Sequence, residues 1–185
     1  MGWGIVEDRT AINRDTEGAA ELEALYDATL DHVYGYILLR AGGHVATAED
    51  LTQETYLALA QQIRDGNSPP APLPWLLRVA RNKVVDFYRR QERTTARIAG
   101  WSTQAEQVPA ASPGIDRFAD RELIRAALAG TPPAQRIAIV LRYLDGLTVA
   151  EIATELGKSE HAVESLLARG RATLRAHLTE DEAIA

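Results

Sequence analysis

The sequence predicts an all-α fold of two small helical domains joined by a flexible linker, with a helix-turn-helix in the second. Three observations predict it. Apolar residues recur at three- and four-residue steps in several separate segments, and no strand-like alternation of any length interrupts them. Capping residues and glycine or proline stops punctuate those segments. From about Thr95 to Gly114 the periodicity fails and the composition turns to Ala, Ser, Pro and Gln, a stretch too long for the interior of one compact domain. The expected divisions are a tail over 1–17, a first domain over 18–94, a linker over 95–115, a second domain over 116–178 and a tail over 179–185.

The first helix is expected from about Gly18 to Ala41, with Leu22, Leu25, Tyr26, Thr29, Val33, Tyr36 and Ile37 as its buried stripe. "AGGH" ends it. In "TAED", Thr47 can cap a second helix, and Asp50 three residues on can reach back to close a capping box. That helix carries Leu51, Tyr56, Leu57 and Leu59 and stops near Arg64. The prolines of "DGNSPPAPLP" hold the backbone extended as a loop, and Pro74 suits the first turn of a third helix, "WLLRVARNKVVDFYRRQERTTAR". Beyond the linker a helix is expected from about Asp116 to Ala129. "GTPPAQRIAIVLRYLDG" follows, with a capping threonine and two prolines in the first turn. "LTVAEIATELG" holds a second capping box, Thr148 with Glu151, and Gly157 as its stop. The last helix, "SEHAVESLLARGRATLR", begins at the cap Ser159.

Composition narrows the function. A chain of 185 residues with 46% hydrophobic and 25% charged residues is globular rather than disordered. With 0 cysteines, disulfides, thiolate zinc sites and cysteine nucleophiles are excluded. The start "MGWGIVEDRTAINRDTEG" has no basic flank followed by an apolar run, so no secretory signal is expected. No apolar run approaches the roughly 20 residues that span a bilayer, so the expectation is a cytoplasmic chain without membrane insertion. The net charge of -6 is unevenly spread: residues 66–97 carry 7 basic and 2 acidic side chains, while residues 1–65 carry 4 and 12. Nucleic acid is therefore expected first at the third helix.

Two constellations carry chemistry. In "TVAEIATELGKSEHAVESLLARGR" two helices meet at a short glycine turn, and the second exposes polar residues at its start, the pattern of a helix-turn-helix. An antiparallel pair inside a bundle would show part of the same pattern. In "WLLRVARNKVVDFYRRQER", Arg78, Asn82, Arg89 and Arg93 fall within about 60° of one another on a helical wheel. Arginines clamp phosphates, Asn82 can read a base edge, and Trp75, Phe87 and Tyr88 offer faces for an unpaired base. A solvated basic face over core aromatics is the bland alternative. His32, His44, His161 and His177 form no pair with metal spacing, and no phosphate-cradling glycine loop or nucleophile elbow is present, so neither an enzyme nor a cofactor or metal is expected.

"AEDLTQETYLALA", "WLLRVARNKVVDFYRRQ" and "LRYLDGLTVAEIATELGKSEHAVESLLARGRATLR" together resemble the successive signature segments of extracytoplasmic-function (ECF) sigma factors, over about residues 20–94 and 118–178. The resemblance implies a promoter-specificity subunit of bacterial RNA polymerase whose partners are core polymerase, promoter DNA and an anti-sigma protein. It assigns Asp50, Gln53 and Glu54 to the polymerase contact. It assigns Trp75, Arg78, Arg81, Asn82, Arg89 and Arg90 to the melted minus-ten element. Ser159, Glu160, His161, Glu164, Ser165, Arg169 and Arg171 fall to the minus-thirty-five duplex. The chain departs from the family where Lys-Ser-Arg is usual, with Glu164-Ser165-Leu166 in its place. A glutamate there repels phosphate but can accept from a cytosine amino group, which implies an unusual minus-thirty-five preference. A stand-alone dimeric helix-turn-helix regulator is the alternative, though a dimerisation domain has no need of the basic third helix.

Overall fold

The computed structural model describes residues 4–98 and 124–182, with side chains over 16–94 and 124–178. Its helices in chain order are α1 (Gly4–Arg40), α2 (Val45–Arg64), α3 (Pro72–Ile98), α4 (124–129), α5 (Pro133–Tyr143), α6 (Val149–Leu156) and α7 (Glu160–Glu182). No strand occurs among the described residues. The expected linker beyond residue 98, the first half of the expected Asp116–Ala129 helix and the end of the C-terminal tail lie outside them.

Two helix starts differ from expectation. Helix α1 begins at Gly4 rather than near Gly18. The segment before Gly18 contains no proline, and one interior glycine costs only about 1 kcal/mol, too little to stop a helix. Helix α2 begins at Val45, and the His44 carbonyl accepts from the Ala48 N–H at 2.9 Å. Thr47 therefore sits inside the first turn, so the expected Thr47–Asp50 box does not set the start. Helix α3 ends at Ile98, one residue beyond the expected Arg97, and so carries into the stretch where the linker is expected to begin.

The chain packs into two units, Met1–Ile37 with Glu49–Lys83, and Leu38–Ala48 with Val84–Ala185. In the first unit Val33, Ile37, Leu51, Thr55, Leu59, Leu76 and Ala80 are buried. Each large aliphatic among them contributes roughly 1.5–3 kcal/mol by leaving water. The Thr29 and Tyr56 hydroxyls share a hydrogen bond of 2.8 Å, and Tyr26 stands edge-on to Tyr56 at 4.8 Å. Burial raises the Tyr56 pKa, with the Thr29 hydrogen bond opposing it. Two residues expected in the core are not there: Leu57 is 61% exposed and Tyr26 is 41% exposed. Wheel position alone cannot tell the middle of a buried stripe from its edge.

The second unit is centred on α5, whose residues Arg136 to Leu141 are all buried. Ile152, Ala153 and Leu156 of α6 and Val163, Leu166 and Leu167 of α7 close over that core. A Cβ on Gly170 would lie 2.8 Å from Ile139 Cγ1, so α7 crosses α5 at a contact only glycine allows. The end of α1 joins this unit through polar bonds: Arg40 pairs with Asp145, and Tyr88 donates to the Arg40 carbonyl at 2.8 Å. Arg136 is 5% exposed. Its Nη1 donates to the Ala41 carbonyl at 3.1 Å and the Tyr88 hydroxyl at 3.3 Å, its Nη2 to the carbonyls of Ala129 at 2.8 Å and Thr131 at 3.0 Å. Gly42 makes room for that guanidinium: its φ of +69° suits glycine, and a Cβ there would collide with Arg136 Nη1.

Candidate nucleic-acid interface

The helix-turn-helix is built from local chemistry. Thr148 caps α6: its Oγ1 accepts from the Glu151 N–H at 3.2 Å, while the Glu151 carboxylate accepts from the Thr148 N–H at 2.8 Å. This is the reciprocal box expected from the sequence. Gly157 ends α6 in the left-handed region at φ +63°, and the Lys158 N–H returns to the Ala153 carbonyl at 2.9 Å. That closure satisfies carbonyls the helix would otherwise leave open and turns the chain sharply. Ser159 Oγ then accepts from the Ala162 N–H at 3.2 Å, so α7 starts on its expected cap.

Helix α7 divides cleanly. Val163, Leu166, Leu167 and Gly170 face the core, and Glu160, His161, Glu164, Ser165, Arg169, Arg171 and Arg175 are exposed. The exposed set forms one polar face, acidic over its first turns and basic beyond. Leu166, where the family resemblance would place an arginine, is buried at 8% exposure and belongs to the core. Arg171 Nη1 donates to the Tyr143 hydroxyl at 3.3 Å, which holds that arginine over α5.

On α3, Arg78, Asn82 and Arg90 are exposed and Trp75, Arg81 and Arg89 are half-buried. Leu76, Ala80 and Val84 fill the opposite, buried side. Arg90 Nε donates to the Asp86 carbonyl at 3.3 Å along the helix surface. Arg89 is engaged elsewhere: its Nη2 lies 3.4 Å from the Thr154 carbonyl and its Nη1 3.5 Å from Asp86. Tyr88 cannot serve as a stacking platform, because it is 4% exposed and bonded to the Arg40 carbonyl. Burial raises its pKa, with the Arg136 charge and hydrogen bond opposing. Trp75 and Phe87 keep partly open faces.

Asp50 and Gln53 are exposed on α2, one helical turn apart. Glu54 beside them is half-exposed and pairs with Lys83 at 3.0 Å. A groove of about 480 Å³ opens next to this face, lined by Tyr26, Tyr34, Gln53, Tyr56, Leu57 and Ala60. Tyr26 and Leu57 were missed as surface residues. Their signal was present only as an apolar stripe one position wider than the core needs.

Among the described residues no group of His, Cys, Asp and Glu could hold a metal ion, and no helix is long and apolar enough to cross a membrane.

Comparison with known proteins places both halves. Residues 25–94 match the family description "Sigma-70 region 2", and residues 121–174 match "Sigma-70, region 4". The ECF RNA polymerase sigma factor BldN of Streptomyces coelicolor is 36% identical over 168 residues, covering 85% of this chain and 60% of BldN. This chain thus spans about three-fifths of that relative's length. The ECF RNA polymerase sigma factor SigL of Mycobacterium tuberculosis is 36% identical over 168 residues, covering 88% of this chain and 91% of SigL. A solved structure of the sigma factor RpoE in complex with the anti-sigma factor NepR from Bartonella quintana resembles the fold with a TM-score of 0.50 at 21% identity, over 86% of this chain and 97% of that one. With a capped helix-turn-helix behind a basic helix, and a relative matched over nearly its whole length, the chain belongs to the ECF sigma factors, a family of transcription initiation factors rather than catalysts.

Proposed function

We propose that this chain docks on core RNA polymerase, captures the melted minus-ten element with α3 and reads the minus-thirty-five duplex with α7. The observation that carries this reading is the pairing, in one chain, of a capped helix-turn-helix with a separate helix whose exposed face holds Arg78, Asn82 and Arg90. The proposed domains are 18–94 and 116–178, supported by the matched segments 25–94 and 121–174. Asp50, Gln53 and Glu54 make the polymerase contact. The exposed Asp50 carboxylate and Gln53 amide accept bonds from arginines on a partner, and Glu54 at i+4, half-exposed and paired with Lys83, adds its charge to the same face. The groove with Tyr26 and Leu57 gives that contact an apolar centre.

Trp75, Arg78, Arg81, Asn82 and Arg90 bind the unpaired strand, with Trp75 as the platform. Flipping a base costs a few kcal/mol, and stacking returns about 1–3 kcal/mol per base. Ser159, Glu160, His161, Glu164 and Ser165 face the major groove, and Arg169 and Arg171 supply phosphate contacts. Glu164 accepts from a cytosine amino group, which selects a C at the position it meets. The acidic tip and the acidic residues 1–65 weaken binding to DNA by the chain alone, since DNA affinity is mostly phosphate electrostatics. Polymerase supplies the affinity, and this subunit the selection. An anti-sigma protein is a further partner, as in the solved RpoE–NepR complex, and the site of action is the cytoplasm. Run-off transcription with core polymerase on genomic fragments tests the whole: start-site selection supports it, and no transcripts above core alone overturns it.

A further inference from the structure

We propose that the free chain masks its own duplex-reading end: Glu92 of α3 holds Lys158, in the turn before α7, in an ion pair that opens when α7 seats on DNA. The proposal rests on the reading of α7 as the groove-facing helix. Lys158 Nζ lies 2.7 and 2.9 Å from the two Glu92 carboxylate oxygens, so both acceptors converge on one ammonium. The Lys158 side chain is only 24% exposed while that of Glu92 is 48% exposed, so the lysine is the enclosed member.

The pair does not stand alone. Arg89, one turn before Glu92, reaches the Thr154 carbonyl in the last turn of α6 at 3.4 Å. Tyr88, Arg89, Glu92, Pro133, Leu156 and Lys158 share the walls of a cavity of about 180 Å³. The last part of α3 thus lies along the side of the helix-turn-helix that holds its turn, and all of these residues belong to the second unit.

Charge makes the contact matter. Lys158 is the one lysine or arginine between Arg142 and Arg169, a stretch that also holds Asp145, Glu151, Glu155, Glu160 and Glu164. Arg169 lies eleven residues on, about 16 Å along a helix. At physiological salt the screening length is about 8 Å, so Arg169 offsets Glu164 in part and Glu160, at the very start of α7, little. With Lys158 neutralised and Glu92 brought alongside, the tip repels phosphate. Freed, Lys158 becomes a phosphate contact at the place where the groove is entered. Arg89 is released by the same movement and becomes available to the strand that α3 binds.

The test is fluorescence anisotropy of the full chain on a labelled mixed-sequence duplex, over a salt series starting near 50 mM. Glu92→Gln is expected to tighten binding by the free chain about two- to fivefold, the worth of one half-exposed ion pair. Its plot of log affinity against log salt should steepen by about 0.9, one added phosphate contact. Glu92→Ala should give the same gain, and the gain should vanish when Lys158→Met is added. Equal affinities for Glu92→Gln, Glu92→Ala and wild type overturn the proposal, and so does a gain that survives Lys158→Met, which would reflect net charge alone. Wild-type run-off transcription separates the two levels. Transcripts without the Glu92 effect sink the masking alone, whereas their absence sinks the DNA reading and the masking with it.

Discussion

Replacing Arg136 by lysine tests the structure where its energetics are steepest. The guanidinium spreads four hydrogen bonds over two sides, to Ala41 and Tyr88 through one nitrogen and to Ala129 and Thr131 through the other. A lysine ammonium is a single point and cannot bridge both sides. At least two buried acceptors then lose their donor, at about 1–3 kcal/mol each, so Arg136→Lys should cost roughly 2–6 kcal/mol. The same site bears an opposing effect. No carboxylate pairs with Arg136 among the described residues, and burying an uncompensated charge itself costs several kcal/mol. Arg136→Met removes that charge but leaves all four acceptors without a donor, so relief of the charge offsets only part of the loss and it should destabilise at least as much as Arg136→Lys. Urea unfolding followed by far-ultraviolet circular dichroism reads both. A second observable comes from Gly42, whose added Cβ would collide with Arg136 Nη1. Gly42→Ala should cost more in the wild type than in the Arg136→Met background, where only the φ +69° strain of about 1–2 kcal/mol remains. A loss below about 1 kcal/mol for Arg136→Lys, or equal costs of Gly42→Ala in both backgrounds, would refute the assignment of Arg136 as the bond that ties α5 to the end of α1.

Other outcomes follow from single contacts. Thr148→Ala removes the α6 cap and should cost about 1 kcal/mol in the same denaturation assay, while Gly170→Ala, forced against Ile139, should cost about 1–3 kcal/mol. Arg169→Gln should weaken duplex binding by reconstituted holoenzyme about equally on all sequences and flatten its salt slope by about 0.9, whereas Glu164→Gln should leave the slope unchanged or steeper and relax the preference at one base pair, as read by run-off on a minus-thirty-five substitution series. Burial raises the Tyr88 pKa above its usual value, so the folded state favours the neutral phenol. That stability is fully present below the unfolded pKa of about 10 and is lost as pH rises through the higher folded value. The urea midpoint should therefore fall above about pH 10, and Tyr88→Phe should show a shallower fall.

Short-range and long-range forces leave different traces in the sequence. The helix-turn-helix was legible because each of its signals is local. Thr148 and Glu151 are three residues apart, Gly157 needs only its own φ, and Ser159 caps a turn that begins beside it. The basic face of α3 was legible because the helical repeat alone puts Arg78, Asn82 and Arg93 on one side, where all three are exposed. Helix starts were less secure. Thr47 looked like a cap, yet α2 starts two residues earlier, since a capping residue permits a start without requiring one. The length of α1 was underestimated because Gly18 looked like a boundary and is not one.

By itself, then, the sequence determined the helical class, the order of the helices, the capped turn before α7 and the polar faces that α3 and α7 present, since each follows from backbone geometry over a few residues. Tertiary structure alone decided which of those groups are occupied. Tyr88 is withdrawn from any stacking role by a carbonyl 48 residues away, Arg136 is buried by a loop 95 residues away, and Lys158 is paired with a carboxylate 66 residues away. No periodicity encodes such pairs, because they depend on where folding brings distant segments, and the worth of each charge depends on how much water the packing leaves around it.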